Sequence, residues 1–95
     1  TLAVDLAPKG VRANAFSPGS IITPMQEYFA DMNAREGQTR EDVYAQFAQP
    51  VPLGRLGDVG ETAELVCFLL SDRSGFSNGS EFIADGGLLS GLRLY

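Results

Sequence analysis

Val11-Arg-Ala-Asn-Ala-Phe-Ser-Pro-Gly-Ser-Ile-Ile-Thr-Pro24 is the stretch whose reading decides the fold of this chain. Val11 to Phe16 is short and nearly continuously apolar, which predicts a buried strand of a parallel sheet rather than a surface helix. Ser17-Pro18-Gly19 stops the strand. Thr23-Pro24 then opens a helix, with Thr23 as N-cap and Pro24 in the first helical turn. A strand that turns directly into a capped helix places backbone amides and a hydroxyl at the carboxyl end of a sheet strand, where α/β proteins bind ligands. Two polar residues interrupt the strand. Arg12 reads as a solvent-side charge, and Asn14 as a side chain bonding neighbouring backbone.

Upstream, residues 1–8 read as the last two turns of a helix, ended by Pro8 and Gly10. Downstream, Met25, Tyr28, Phe29 and Met32 follow Thr23 at i, i+3, i+4 and i+7, one apolar stripe of a helix that Gly37 is expected to end. Thr39-Arg-Glu-Asp42 caps a second short helix carrying Val43, Tyr44 and Phe47, closed by Gln49-Pro-Val-Pro52. Residues 24–52 thus form a helical excursion where α/β enzymes keep lids and specificity loops. Leu53-Gly-Arg-Leu-Gly57 lacks the Lys-Ser/Thr ending of a phosphate-binding loop and reads as a plain connector.

Asp58-Val-Gly-Glu61 has the spacing of a capping box. The helix it opens runs to about Leu70, is apolar over a wide arc, and is expected to be largely buried. Cys67 lies inside that arc and reads as a small core hydrophobe. Glu81 to Ala84 reads as a second short strand, stopped by Asp85-Gly-Gly87, and an apolar tail runs from Leu88 to Tyr95. Two strands joined through a helix make one βαβ unit, with a right-handed crossover expected.

The 95 residues carry a net charge of −5 and no basic cluster, which argues against nucleic acid and anionic membrane as main partners. No apolar run reaches the ~18–20 residues of a spanning helix. A single Cys and no His leave no internal disulfide and no spacing for a metal site, and a reducing, cytoplasmic setting suits this usage. The chain opens on Thr1 inside an amphipathic pattern, which suggests a fragment of a longer protein.

Leu2 to Pro24, then Pro52-Leu-Gly-Arg-Leu-Gly57, then Asp85-Gly-Gly87, together resemble the C-terminal part of the short-chain dehydrogenase/reductase family, in the right order and over essentially the whole chain. The resemblance implies the C-terminal portion of a Rossmann-type doubly wound parallel α/β sheet, contributing its last two strands and connecting helices to a single NAD(P)-binding domain. It implies NAD or NADP as cofactor, a small alcohol or carbonyl compound as substrate, and a homodimer or homotetramer. The family's Pro-Gly-x-Ile-x-Thr pattern falls on Pro18, Gly19, Ile21 and Thr23. There the Ile backbone usually bonds the nicotinamide carboxamide, and the Thr hydroxyl reaches the carboxamide or the pyrophosphate. The stripe Met25, Tyr28, Phe29 and Met32 becomes the substrate-facing side of the lid, and the strand Phe82 to Ala84 with the tail becomes the sheet edge and subunit contact.

The family's Gly-rich nucleotide turn and its Tyr-x-x-x-Lys pair find no match here: positions 32 and 48 are Met32 and Ala48, and Tyr95 is the last residue. No catalytic residue is therefore assigned, and the isolated 95 residues are expected to be inactive. Two readings result. In one, the chain is the nicotinamide-side segment of an oxidoreductase; in the other, it is a truncated or degenerate relative used for assembly.

Overall fold

The computed structural model describes residues 1–91. The chain opens with a short helix α1 (Leu2–Leu6) that tightens into a 3-10 turn over Ala7–Lys9. Gly10 then ends it in the left-handed region at φ 76°, the conformation glycine adopts at least cost. Strand β1 covers Ala15–Pro18, β2 is the pair Ile21–Ile22, and helix α2 runs Pro24–Asn33. Helix α3 (Arg40–Phe47), the two-residue strand β3 (Gly57–Asp58) and helix α4 (Val59–Leu70) follow. A 3-10 turn at Asp72–Ser74 leads to strand β4 (Glu81–Ala84) and helix α5 (Leu88–Gly91).

β1 and β4 pair in parallel, with Ala15, Phe16, Ser17 and Pro18 opposite Glu81, Phe82, Ile83 and Ala84. This is the βαβ unit expected from sequence, in a fold of parallel strands and helices. The strand begins later than the apolar run suggested, because residues 11–14 bond to loops instead of a strand, and it does not stop at Ser17 but runs on through Pro18, because Ser17 and Pro18 pair with Ile83 and Ala84 of β4. The Ala13 amide donates to Asn78 Oδ1 at 3.0 Å, and the Gly79 amide donates to the Ala13 carbonyl at 2.8 Å. Asn14 does bond backbone, but remotely in sequence: it donates to the Ser77 carbonyl and accepts from the Ser80 amide.

Arg12 is not a solvent-side charge. Its guanidinium donates to four carbonyls, those of Leu69 and Ser71 from Nη2 (3.1 and 3.0 Å) and of Ser74 and Ser77 from Nη1 (2.8 and 3.0 Å). The last carbonyls of a helix have no intrahelical donors and carry partial negative charge, so a planar cation at the end of α4 satisfies several of them at once. Ser74, itself buried, adds hydroxyl bonds to the Leu69 and Ser71 carbonyls.

Both helices of the 24–52 excursion form. α2 stops at Asn33 rather than running to Gly37. Asn33 Nδ2 donates to the Phe29 carbonyl at 2.8 Å, and such local side-chain bonds compete with further helix. α3 has a complete capping box, Thr39 Oγ1 accepting from the Asp42 amide and Asp42 Oδ2 from the Thr39 amide. Arg40 ties the two helices together, bidentate to Asp31 at 3.0 and 2.8 Å and 3.5 Å from Glu27. That pairing holds the Asp31 carboxyl below the usual carboxylate range.

Burial falls in an unexpected place. Among the described residues the buried apolar side chains are Ala3, Ala30, Val43, Ala48, Val51 and Leu56, so their core sits mainly in the α2–α3 hairpin and the connector after it. None of the residues of α4 is buried, against the expectation for its apolar arc; Phe68 is 43% and Leu70 81% exposed. Cys67, read as a core hydrophobe, is likewise exposed. Two strands of four residues each offer too little surface to cover a helix of twelve. The radius of gyration is 17.0 Å, against ~12 Å for a compact domain of about this length. No helix of the described residues is long and apolar enough to cross a membrane.

Candidate functional site

The loop leaving β1 is held on two sides. On one, the Gly19 amide donates to the Ala84 carbonyl at 2.9 Å, which extends the β1–β4 pairing into the turn. Gly19 itself lies so close to the Asp85 backbone that a Cβ there would sit 2.7 Å from Asp85 Cα. On the other side, β2 pairs in parallel with β3, Ile21 opposite Gly57 and Ile22 opposite Asp58. The Gly57 amide donates to the Ser20 carbonyl at 3.0 Å. Sequence reading missed this second ladder, since two-residue strands carry no periodicity. A Cβ on Gly57 would meet Ile21 Cδ1 at 2.7 Å, a contact that the end of the Ile21 side chain would have to move to relieve.

Thr23 caps α2 as expected, its Oγ1 accepting from the Gln26 amide at 3.3 Å. Pro24 has no N–H, and the Glu27 amide donates to the Thr23 carbonyl at 2.9 Å. Among the described residues the Met25 amide has no acceptor. The arrangement therefore presents one uncommitted amide and one hydroxyl hydrogen at the positive end of a ten-residue helix, the setting that favours an anion or a polar oxygen.

The structure brings Pro18, Gly19, Ile21 and Thr23 together around this turn. It places the stripe Met25, Tyr28, Phe29 and Met32 along one face of α2, all exposed, from 43% for Phe29 to 67% for Met25. The rings of Tyr28 and Phe29 lie 6.0 Å apart, tilted. Phe29, the least exposed of the four, lines a shallow groove with Phe47 and Pro50, and the α2 residue that is buried is Ala30.

Below the loop, a cavity of about 260 Å³ is lined by Ser20, Ile21, Arg55, Glu61, Thr62 and Asp85 among others. The Thr62 hydroxyl is buried there with no hydrogen-bond partner among the described residues. Asp85 accepts from the Gly87 and Leu89 amides at 2.9 and 3.0 Å, and these bonds hold its carboxyl below the usual range. Arg55 grips Glu61 through both carboxylate oxygens and, with the Asp58 amide, pulls the Glu61 carboxyl down to about 2. Among the described residues no group of three or more His, Cys, Asp or Glu is placed to hold a metal ion.

A parallel βαβ unit whose first strand ends in a Pro-Gly turn and a Thr-capped helix defines a segment of a Rossmann-type fold. The family profile described as Enoyl-(Acyl carrier protein) reductase matches residues 1–89, and the chain belongs to the short-chain dehydrogenase/reductase family. Oxidoreductase UcpA of Escherichia coli O157:H7 is 41% identical over 87 residues, which are 92% of this chain and 32% of that protein. A short-chain dehydrogenase family protein of Francisella tularensis subsp. tularensis SCHU S4 superposes with a TM-score of 0.86 at 36% identity, over 94% of this chain and 37% of that one. L-sorbose reductase of Gluconobacter frateurii, solved with NADPH and L-sorbose, gives 0.87 at 29% identity, over 98% of this chain and 35% of that one. The chain thus spans about a third of the length of the relatives it matches, 32% for the E. coli oxidoreductase.

Proposed function

We propose that this chain is the nicotinamide-side segment of an NAD- or NADP-dependent oxidoreductase that interconverts alcohols and carbonyl compounds. The observation that carries the reading is the loop 18–23, pinned to β4 on one side and β3 on the other, so that it delivers Thr23 and the Met25 amide to one point. The similar L-sorbose reductase, complexed with NADPH and L-sorbose, supports both the cofactor and the substrate class. When bound, the nicotinamide supplies the hydride exchanged with the substrate carbon.

The residues of this chain fit that group by their donor set. Thr23 Oγ1 already accepts from Gln26, so its own hydrogen is the one left to donate, to the carboxamide or to a phosphate oxygen. The Ile21 main chain orients the carboxamide, and Pro18 with Gly19 shapes the turn that brings it there. The positive end of α2 favours the pyrophosphate charge. Met25, Tyr28, Phe29 and Met32 form the apolar inner side of a lid that excludes water from the substrate. The exposed Ile83 of β4 and Leu89 of α5 belong to a contact between subunits of a homodimer or homotetramer. The remainder of that contact, at residues 92–95 with Leu92, Leu94 and Tyr95, lies outside the described residues.

One set of measurements on the full-length protein tests the reading. Thr23→Val removes one donated hydrogen bond and is expected to weaken cofactor binding by about 1 kcal/mol, roughly fivefold. In the same samples, cofactor is expected to slow amide exchange across 24–52, and light scattering to report an oligomer. Unchanged cofactor affinity in Thr23→Val refutes the loop assignment; cofactor-independent exchange refutes the lid, and a monomer refutes the contact.

A further inference from the structure

The carboxylate of Glu61 is held at three points. Oε1 accepts from Arg55 Nη1 at 2.8 Å and from the Asp58 amide at 3.1 Å, and Oε2 accepts from Arg55 Nη2 at 2.7 Å. Arg55 Nη1 donates further to the Leu56 carbonyl at 3.2 Å. One carboxylate thus folds residues 55–58 back on themselves at the start of α4. These include both residues of β3, the strand that pairs with Ile21 and Ile22 next to Thr23.

The capping box accounts for only part of this. Capping α4 requires Asp58 Oδ1 to accept from the Gly60 and Glu61 amides and Glu61 to reach the Asp58 amide, all of which occur. It does not require the guanidinium. The pair is about half exposed, 55% for Arg55 and 51% for Glu61, and exposed pairs contribute little to stability. What a bidentate pair contributes is orientation. A ladder of two residues is far shorter than strands that hold themselves, typically about five or six residues. Its register therefore depends on how firmly the connector is fixed.

We propose that the Arg55–Glu61 pair is a positioning device that keeps β3 in register against β2 and thereby fixes the direction in which Thr23 presents its hydroxyl. The proposal rests on the reading of Thr23 as a cofactor contact. Neither Arg55 nor Glu61 touches cofactor or substrate in it. Both act through Asp58, Gly57 and the β2 backbone.

The test uses the full-length protein with Arg55→Met, Glu61→Ala, Thr23→Val and the Glu61→Ala/Thr23→Val double variant. The first readout needs no cofactor: exchange of the Gly57 amide, which donates to the Ser20 carbonyl, is expected to accelerate about tenfold in both Arg55→Met and Glu61→Ala. The second is titration with NADH and with NADPH, using whichever binds. Glu61→Ala is expected to weaken binding about threefold or more alone and less than twofold in the Thr23→Val background, because residues acting through one another are not additive.

Unchanged Gly57 exchange in both single variants, or an undiminished Glu61→Ala effect beside Thr23→Val, overturns the proposal. Should Glu61→Ala not fold, Arg55→Met, which leaves the capping box intact, carries the same two readouts with its own Thr23→Val double variant. Thr23→Val with unaltered affinity overturns the cofactor reading instead, and the Gly57 exchange then decides separately whether the pair holds the ladder.

Discussion

Gly19→Ala tests how tightly the loop is seated. A methyl at this position would lie 2.7 Å from Asp85 Cα, 2.8 Å from Asp85 Cβ and 3.5 Å from the Asp85 carbonyl carbon. Carbon atoms rest at about 3.5–4.0 Å, so the loop and the Asp85 turn must separate by roughly 0.8 Å or more. The nearest atom is backbone and Cβ does not move when a side chain changes rotamer, so no rotamer change relieves the contact. The same displacement stretches the 2.9 Å bond from the Gly19 amide to the Ala84 carbonyl beyond the range of a good hydrogen bond. Overpacking costs about 1–3 kcal/mol and the bond about 1 kcal/mol, so a loss of about 2–4 kcal/mol is expected. Denaturant unfolding of the full-length protein measures it as a midpoint shift at constant slope.

Gly10→Ala is the internal control for that experiment. Gly10 has φ +76° but nothing within 4 Å of an added Cβ, so its substitution costs only the left-handed conformation, about 1–2 kcal/mol. Gly19 is not among the positive-φ glycines, so its cost is contact alone. Gly19→Ala is expected to be the more destabilising of the two, and to weaken cofactor binding where Gly10→Ala does not. A Gly19→Ala protein no less stable than Gly10→Ala, with cofactor affinity intact, refutes the reasoning.

Arg12→Met removes four donors from the carbonyls of Leu69, Ser71, Ser74 and Ser77. Because the site is partly open and water replaces some of them, a loss of about 2–4 kcal/mol is expected in the same unfolding assay; a change within about 0.5 kcal/mol returns Arg12 to an ordinary surface charge. Glu61 is held at about 2 instead of 4.5, so its ionised form favours the folded state. Its contribution is complete above pH 4.5 and is lost as the pH falls towards about 2. Wild type should therefore exceed Glu61→Gln in thermal midpoint at neutral pH, with the difference closing across that window. A difference that stays constant down to pH 2 contradicts the assignment.

The sequence alone determined the local elements. Thr23-Pro24, Thr39 with Asp42, and Asp58 with Glu61 each set a helix start that the structure keeps, because a cap is a bond between residues two or three positions apart. The Glu81–Ala84 strand was legible from its own short apolar run, whereas the end of β1 was not, since Ser17 and Pro18 stay in the strand by pairing with β4. The family, too, was legible, carried by runs of consecutive residues at 2–24, 52–57 and 85–87.

Only the tertiary structure decided what those elements meet. Arg12 looked like a surface charge because its four acceptors lie at residues 69–77, far along the chain. The β2–β3 ladder joins Ile21 to Gly57 through strands too short to have a period. The wide apolar arc of α4 spoke for burial, yet an apolar face records that a helix has something to cover it and not what that is. The two short strands present here leave Phe68 and Leu70 uncovered. Gly19 is the clearest case. Its sequence context marks a turn, but the need for a glycine comes from the Asp85 backbone 66 residues away, whose approach is set by the pairing of β1 with β4.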